Sequence, residues 1–173
     1  MTVVFVGVGS NIEPERNVPE AQRRLARRVQ VTGVSTFYRT MPLGAPGTPR
    51  FVNGVWRIET ALGVRFLRSD VLRGIEEELG RRRTSDRNAP RPIDLDVLVY
   101  GDAVVEEEGL RLPDPAIWAR PFVAYPLWEL APELVLPGDG RRLAEVVAGM
   151  SREGLEPLGE LTGLLKAEVE HGS

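Results

Sequence analysis

The chain contains no cysteine, which removes disulfides, thiolate nucleophiles and cysteine-bound metals together. Histidine is nearly as scarce, since His171, third from the end, is the only one. Ser-His-Asp catalysis and histidine-bound zinc therefore lack the residues they need, and any metal is expected on oxygen ligands, which favours Mg²⁺. No apolar run approaches the roughly 20 residues of a membrane span, and no basic segment precedes an apolar one at the N-terminus, so a cytoplasmic protein without membrane association is expected. The phosphate-binding string GxxxxGK[ST] is missing. Gly7-Val8-Gly9 lacks the third glycine of a dinucleotide-binding fingerprint. Lysine occurs only at Lys166, and the general preference for arginine reads as composition bias or thermal adaptation. The formal net charge of −3 argues against general nucleic-acid binding, which shows as a basic domain.

At 173 residues, 42% hydrophobic and 27% charged, the chain suits a single globular domain. Its most informative stretch is residues 80–100, GRRRTSDRNAPRPIDLDVLVY. Five arginines (Arg81, Arg82, Arg83, Arg87 and Arg91) crowd a loop punctuated by Gly, Pro, Ser and Asn, and Asp94-Leu95-Asp96 follows with no spacer. On a strand, residues i and i+2 share a face, so Asp94 and Asp96 form a carboxylate pair. Such a pair repels itself unless cations intervene, and Mg²⁺ binds through one or two carboxylates plus substrate phosphates. Arginine supplies the planar donors that phosphate oxygens accept. An acidic pair beside a basic loop can also be plain solvated surface. The apolar run Val97-Leu98-Val99-Tyr100 shifts the reading toward a buried, central strand with charges at its mouth.

Alternation in residues 2–8 predicts a first strand, ended by a turn at Gly9-Ser10-Asn11. A helix follows with Pro14 or Pro19 in its first turn, Val18, Ala21, Leu25 and Val29 on one face and Arg23, Arg24, Arg27 and Arg28 largely outside it. Residues 31–39 read as a second strand, 40–50 as a Pro/Gly loop, and 51–60 as a third strand with Phe51, Asn53, Val55, Arg57 and Glu59 on one face. Residues 64–79 predict a second helix with Leu72, Ile75 and Leu79 at core spacing and Gly80 as its C-terminal cap. Glu76-Glu77-Glu78 in such a helix is ordinarily a solvated face. After the Asp-bearing strand, residues 103–105 and 110–112 suggest a short ribbon, and 113–131 short helices with Trp118, Phe122, Leu127 and Trp128 mostly in the core. Residues 142–150 predict another helix, and the leucines at 155, 158, 161, 164 and 165 a further amphipathic one, packing on the domain or on a second subunit. The order strand, helix, strand, strand, helix, strand is that of a ferredoxin-like α+β fold, a βαββαβ core with an antiparallel sheet plus short C-terminal helices.

The string RNAPRPIDLDVL at residues 87–98 resembles the signature of the 6-hydroxymethyl-7,8-dihydropterin pyrophosphokinases of folate biosynthesis. Gly9-Ser10-Asn11, Ser35-Thr36-Phe37-Tyr38-Arg39-Thr40 with Pro42-Leu43-Gly44, Phe51-Val52-Asn53, and Pro126-Leu127-Trp128-Glu129-Leu130-Ala131-Pro132 agree with it in order and spacing. The resemblance covers residues 1–150 and leaves 151–173 as a C-terminal extension, helical and not a separate domain. It implies an ATP-dependent transfer of pyrophosphate to the pterin alcohol with release of AMP. Asp94 and Asp96 would hold two Mg²⁺ ions, with Arg83 and Arg91 acting with them on the phosphates. The pterin would meet Thr40, Leu43, Phe51, Asn53 and Phe122. ATP would meet Glu76, Arg81, Arg83, Arg87, Arg91, Val97, Leu110, Arg111 and Arg120. In Pro113-Asp114-Pro115, Asp114 stands where the family pattern has histidine, while Arg120-Pro121-Phe122 keeps its Arg-x-Phe. The expected partners are these two small molecules, with the chain a monomer or a homodimer. Two other readings stay open: a non-catalytic ferredoxin-like module for single-stranded RNA, whose strand aromatic motifs are missing here, and a metal-dependent phosphohydrolase, which leaves Asn53 and the apolar loop unexplained.

Overall fold

The computed structural model describes residues 1–40, 50–81 and 90–171. An interior strand of its sheet is β1 (Thr2–Ser10). Alternation divides this strand between two faces: Val4, Val6 and Val8 enter one hydrophobic cluster, while Phe5 joins a second and Gly7 and Gly9 line a cleft. β4 (Phe51–Thr60) and β5 (Asp94–Tyr100) both pair antiparallel with β1, one on each side. Beyond β4 lie β2 (Gln30–Val34) and β3 (Tyr38–Thr40), and β8 (Leu155–Pro157) pairs with β3. The sheet order is β5-β1-β4-β3-β8, with β2 also on β4, and β6 (Val105–Glu107) and β7 (Leu110–Leu112) form a separate ribbon.

Helices cover both faces. On one, α1 (Pro14–Ala26), α7 (Gly159–His171) and a helix running through α2 (Val64–Phe66), a π-type stretch (Leu67–Leu72) and α3 (Arg73–Glu78) bury Val18, Leu25, Leu72, Ile75 and Leu165 against Val4, Val6, Trp56 and Ile58. On the other, α4 (Ala116–Ala119), α5 (Pro121–Leu130) and α6 (Leu143–Ala148) pack Ile117, Ala124, Leu127 and Leu143 on Phe5, Val55 and Val99. Among the described residues no helix is long and apolar enough to cross a membrane. The apolar stripe of α1 is buried as its spacing predicts, and Arg23 and Arg24 pair with Glu20, Glu168 and Glu78 at the surface. Gly80 follows α3 at φ 93°, a left-handed conformation that suits glycine.

Four expectations need correction. The strand expected over residues 31–39 is two strands, because the Ser35 hydroxyl accepts a hydrogen bond from the Val55 N–H at 2.8 Å and takes a position a backbone carbonyl would occupy in a continuous ladder. The Asp-bearing strand is buried but not central: β5 is an edge strand of this sheet, pairing with β1 alone, and helix and ribbon supply its cover. Leu155 belongs to β8 rather than to a helix, so the C-terminal extension is a strand followed by a helix, with Leu161 and Leu165 buried and Leu164 exposed. Of the four residues assigned to the core of 113–131, Leu127 is fully buried, while Trp118, Phe122 and Trp128 are half-buried.

Between β2 and β3 the Phe37 ring lies flat behind Gly54, so close that a Cβ on Gly54 would sit 2.5 Å from two ring carbons. Both are buried, and the Phe37 ring packs beside Trp56 with ring centroids 6.3 Å apart. Gly54→Ala is therefore expected to destabilise the fold by about 1–3 kcal/mol, the usual cost of overpacking. A urea melt checks this, and an unchanged midpoint would show that Phe37 steps aside freely.

Candidate active site

The α4–α6 layer stops short of one end of the sheet and leaves a cavity of about 650 Å³ over β1, β4 and β5. That volume is within the range of small-molecule sites. Strand register dictates its floor. Gly9 pairs with Asp94 on one side and Asn53 on the other, and one step along the same face Gly7 pairs with Asp96 and Val55. Directly opposed residues on neighbouring strands share a face, so carboxylates and the asparagine amide flank a bare glycine strip. A Cβ at Gly9 would stand 3.1 Å from the Asn53 Oδ1, and one at Gly7 3.2 Å from the Leu98 side chain. The Gly-Val-Gly that fails as a dinucleotide motif is thus the Cβ-free middle of the floor.

The two aspartates differ in their surroundings. Asp94 is held by arginine on both oxygens, Arg81 Nη1 donating to Oδ1 at 2.7 Å and Arg91 Nη1 to Oδ2 at 3.2 Å. Arg81 also donates to Glu76 at 2.6 Å, and the same Glu76 oxygen accepts the Leu95 N–H at 2.8 Å. Burial works against the charge on Arg81, yet Asp94 and Glu76 outweigh it and its pKa is raised. Glu76 is 2% exposed, so it is no solvated face. Its place four residues after Leu72 and one after Ile75 puts it on the core stripe of the helix, a signal the periodicity contained.

Asp96 opens to water at the cleft and makes no side-chain hydrogen bond among the described residues. The protein mass around it, then the charges of Asp94, Asp114 and Glu76, push its pKa up to about 7. Asp114 faces the same cleft: its N–H donates to the Leu98 carbonyl at 2.9 Å, and its Oδ1 accepts the Ala116 N–H at 2.9 Å. Its own pKa is raised by burial, against the lowering influence of the Ala116 N–H and Arg120.

Sequence reasoning missed what fixes Arg91. The Asn11 N–H donates to the Arg91 carbonyl at 3.1 Å, Asn11 Oδ1 accepts the Arg91 N–H at 2.7 Å, and Ser10 Oγ donates to the Pro92 carbonyl at 2.6 Å. The turn read at Gly9-Ser10-Asn11 is a clamp on a segment some 80 residues away. Its two polar side chains immediately after the floor strand were the available signal.

Asn53 Nδ2 donates to Thr40 Oγ1 at 3.1 Å, and Thr40 Oγ1 in turn donates to the Phe51 carbonyl at 3.2 Å. Phe51 is half-buried, its ring edge 4.0 Å from the Cβ position of Gly9, while Phe122 lines the opposite wall with the Arg120 guanidinium 5.7 Å above its ring. The cleft thus gathers Asp94, Asp96, Arg81, Arg91, Asn53, Arg120 and Phe122. Other candidates sit elsewhere. Val97 and Leu110 are buried in the cluster on the far face, and Arg111 is exposed on the ribbon. Leu43, Arg83 and Arg87 lie outside the described residues, as do most of the two loops that carry them.

A carboxyl whose folded pKa is raised stabilises the fold fully below its unfolded value, here 3.8, and that contribution fades as pH climbs through about 7. With EDTA present, the melting temperature of Asp96→Asn relative to the parent is expected to climb between those two pH values and level off above them. A difference that stays flat with pH would refute the assignment.

Known proteins resemble this chain over most of its length. Residues 5–132 match the family model for 7,8-dihydro-6-hydroxymethylpterin-pyrophosphokinase. The 2-amino-4-hydroxy-6-hydroxymethyldihydropteridine pyrophosphokinase of Pseudomonas aeruginosa is 42% identical over 158 residues, 90% of this chain and 96% of that one. The protein of the same name from Synechocystis is 32% identical over 169 residues, 94% of this chain and 85% of its own. Among solved structures, the Plasmodium falciparum HPPK-DHPS crystal structure superposes with a TM-score of 0.60 at 12% identity, over 86% of this chain and 43% of that one. That likeness concerns the fold.

Proposed function

We propose that this chain, which belongs to the 7,8-dihydro-6-hydroxymethylpterin-pyrophosphokinase family and transfers pyrophosphate from ATP to the hydroxymethyl group of 6-hydroxymethyl-7,8-dihydropterin, does so across the glycine floor of this cleft. The observation that carries the reading is the row Asp94, Gly9, Asn53. Two strand spacings, about 10 Å in all, separate a carboxylate and arginine end from an amide and aromatic end. A pterin seated at the second end extends its hydroxymethyl arm toward the first. We read the core, whose strands follow the order fourth, first, third, second of a βαββαβ unit, as ferredoxin-like.

At the phosphate end, Asp94 and Asp96 suit Mg²⁺. The donors are all oxygen, they share a face, and burial followed by the charges of Asp94, Asp114 and Glu76 raises the pKa of Asp96. Among the described residues no group of three or more acidic or histidine side chains is set to hold a metal unaided. Two carboxylates completed by substrate phosphates are the arrangement Mg²⁺ accepts. Bound there, two such ions would neutralise phosphate charge and ease deprotonation of the hydroxymethyl oxygen. The chain's own part is positioning and charge balance. Arg81 and Arg91 present guanidinium forks at the cleft for phosphate oxygens, Arg120 adds a third cation from the opposite wall, and Glu76 and Asn11 hold Arg81 and Arg91 in place. Arg83 and Arg87 would join them from the neighbouring loop. Such positioning is what pyrophosphoryl transfer, with little covalent chemistry on the protein, requires.

At the pterin end, Phe51 and Phe122 offer the two aromatic faces a flat heterocycle needs, and Asn53, oriented by Thr40, reads its edge. One chain supplies every wall of the cleft, consistent with a monomer. The RNA-binding reading is set aside: Asp94, Asp96 and Asp114 would face a phosphate backbone laid along this floor.

The assay is AMP formation from MgATP and the pterin alcohol, which the parent chain supports and Asp94→Ala and Asp96→Ala lose. The division of the cleft is tested by Phe122→Ala, expected to weaken pterin binding by about 1–3 kcal/mol, as with bases stacked on aromatics, while MgATP affinity barely changes. Equal losses for both ligands in calorimetry would place Phe122 on the wrong side.

A further inference from the structure

The C-terminal extension lies beyond residues 5–132, which the family model matches, yet it reaches the back of the pterin end. We propose that residues 155–165 are a positioning element for pterin recognition, acting through Phe37. Phe37 has no solvent exposure, and the extension takes up both of its backbone groups: its N–H donates to Thr162 Oγ1 at 2.9 Å, and its carbonyl accepts the Leu158 N–H at 2.8 Å. The ring so held presses on the far side of Gly54, where even a methyl group would sit at 2.5 Å. On the cleft side of the same backbone, the residues flanking Gly54 are Asn53 and Val55, both part of the floor. The extension grips the neighbouring strand as well, since β8 pairs Leu155 with Thr40 and Pro157 with Tyr38, and β3 pairs Thr40 with Phe51 and Tyr38 with Asn53. Thr40 orients the Asn53 amide at 3.1 Å. The backbone pairings of the extension run to β3 and to Phe37 behind β4, the strands of the proposed pterin end, while Leu161 and Leu165 join the common core and Asp94, Arg81 and Glu76 stand across β1.

Thr162 is thus a positioning residue rather than a catalytic one, and the proposal rests on the reading that the pterin binds at Asn53. Its signature is selectivity. Thr162→Val keeps shape and volume but leaves the Phe37 N–H buried without an acceptor, so the strand behind Asn53 relaxes. Affinity for 6-hydroxymethyl-7,8-dihydropterin is expected to fall about tenfold, affinity for a non-hydrolysable MgATP analogue to stay within twofold of the parent, and Thr162→Ser to restore the pterin affinity. The Asn53 side-chain amide resonance should move in the valine variant and return in the serine one, a readout available even if the melting temperature falls. Equal weakening of both ligands, or an unmoved Asn53 amide with normal pterin affinity, overturns the proposal. Asn53→Ala distinguishes the two ways of failing. If it loses pterin affinity while Thr162→Val does not, the brace alone is wrong. If Asn53→Ala binds pterin normally, the pocket reading is wrong and the proposal falls with it.

Discussion

The register of β1 between its two neighbours is the constraint on which the site depends. Because Gly9 faces Asp94 on one side and Asn53 on the other, a carboxylate and an amide sit one strand spacing either side of a strip with no side chains. A slip of a single residue in either pairing would turn the aspartates or the asparagine into the helical layer behind the sheet. That slip is resisted by Val4, Val6 and Val8, whose burial against α1 and its neighbours leaves β1 no freedom to exchange its faces. The apolar half of the strand therefore sets the geometry of its polar half.

Charge completes what register begins. Arg81 stands between Glu76 and Asp94, and the Glu76 oxygen that takes it also takes the Leu95 N–H. Leu95 is on an edge strand, where that N–H has no ladder partner on its outer side. A buried carboxylate thus finishes the sheet edge and holds the arginine that neutralises the first aspartate. Removing either partner would strand a buried charge, which is far more costly than the net worth of the pair. Among the described residues no arginine hydrogen-bonds Asp96, so the two carboxylates of the pair stand in different surroundings.

Local patterns were legible in the sequence and pairings were not. The period of two placed Asp94 and Asp96 on one face and Phe51, Asn53 and Val55 on another, and the period of 3.6 found the stripe of α1. The edge position of β5 depends on which strands lie beside it, information spread over the chain from residue 2 to residue 100. The break at Ser35 depends on Val55, and the strand at Leu155 on Thr40, each a partner remote in sequence. Asn11 looked like a turn residue because its work is on Arg91, 80 residues away. The burial of Glu76 was within reach of the pattern, since its spacing from Leu72 and Ile75 outweighs the expectation that three successive glutamates face water.

The outer sides of β5 and β3 are covered by different means. At β5 the outer backbone groups are taken by a glutamate side chain and by the Asp114 N–H, which donates to Leu98. Both residues carry carboxylates, so that edge is closed with charge. At β3 the outer groups are taken by another strand, β8, which brings no carboxylate into the cleft and continues into a helix whose leucines join the core. A flat, weakly polar heterocycle is held by shape and by a few aligned donors, so its end of the cleft gains from a rigid backbone. A polyphosphate with its cations is held by charge and must be released after reaction, so its end gains from side chains that can change partners. Under the proposed seating of the two substrates, the polarity of each matches the way its side of the sheet is covered.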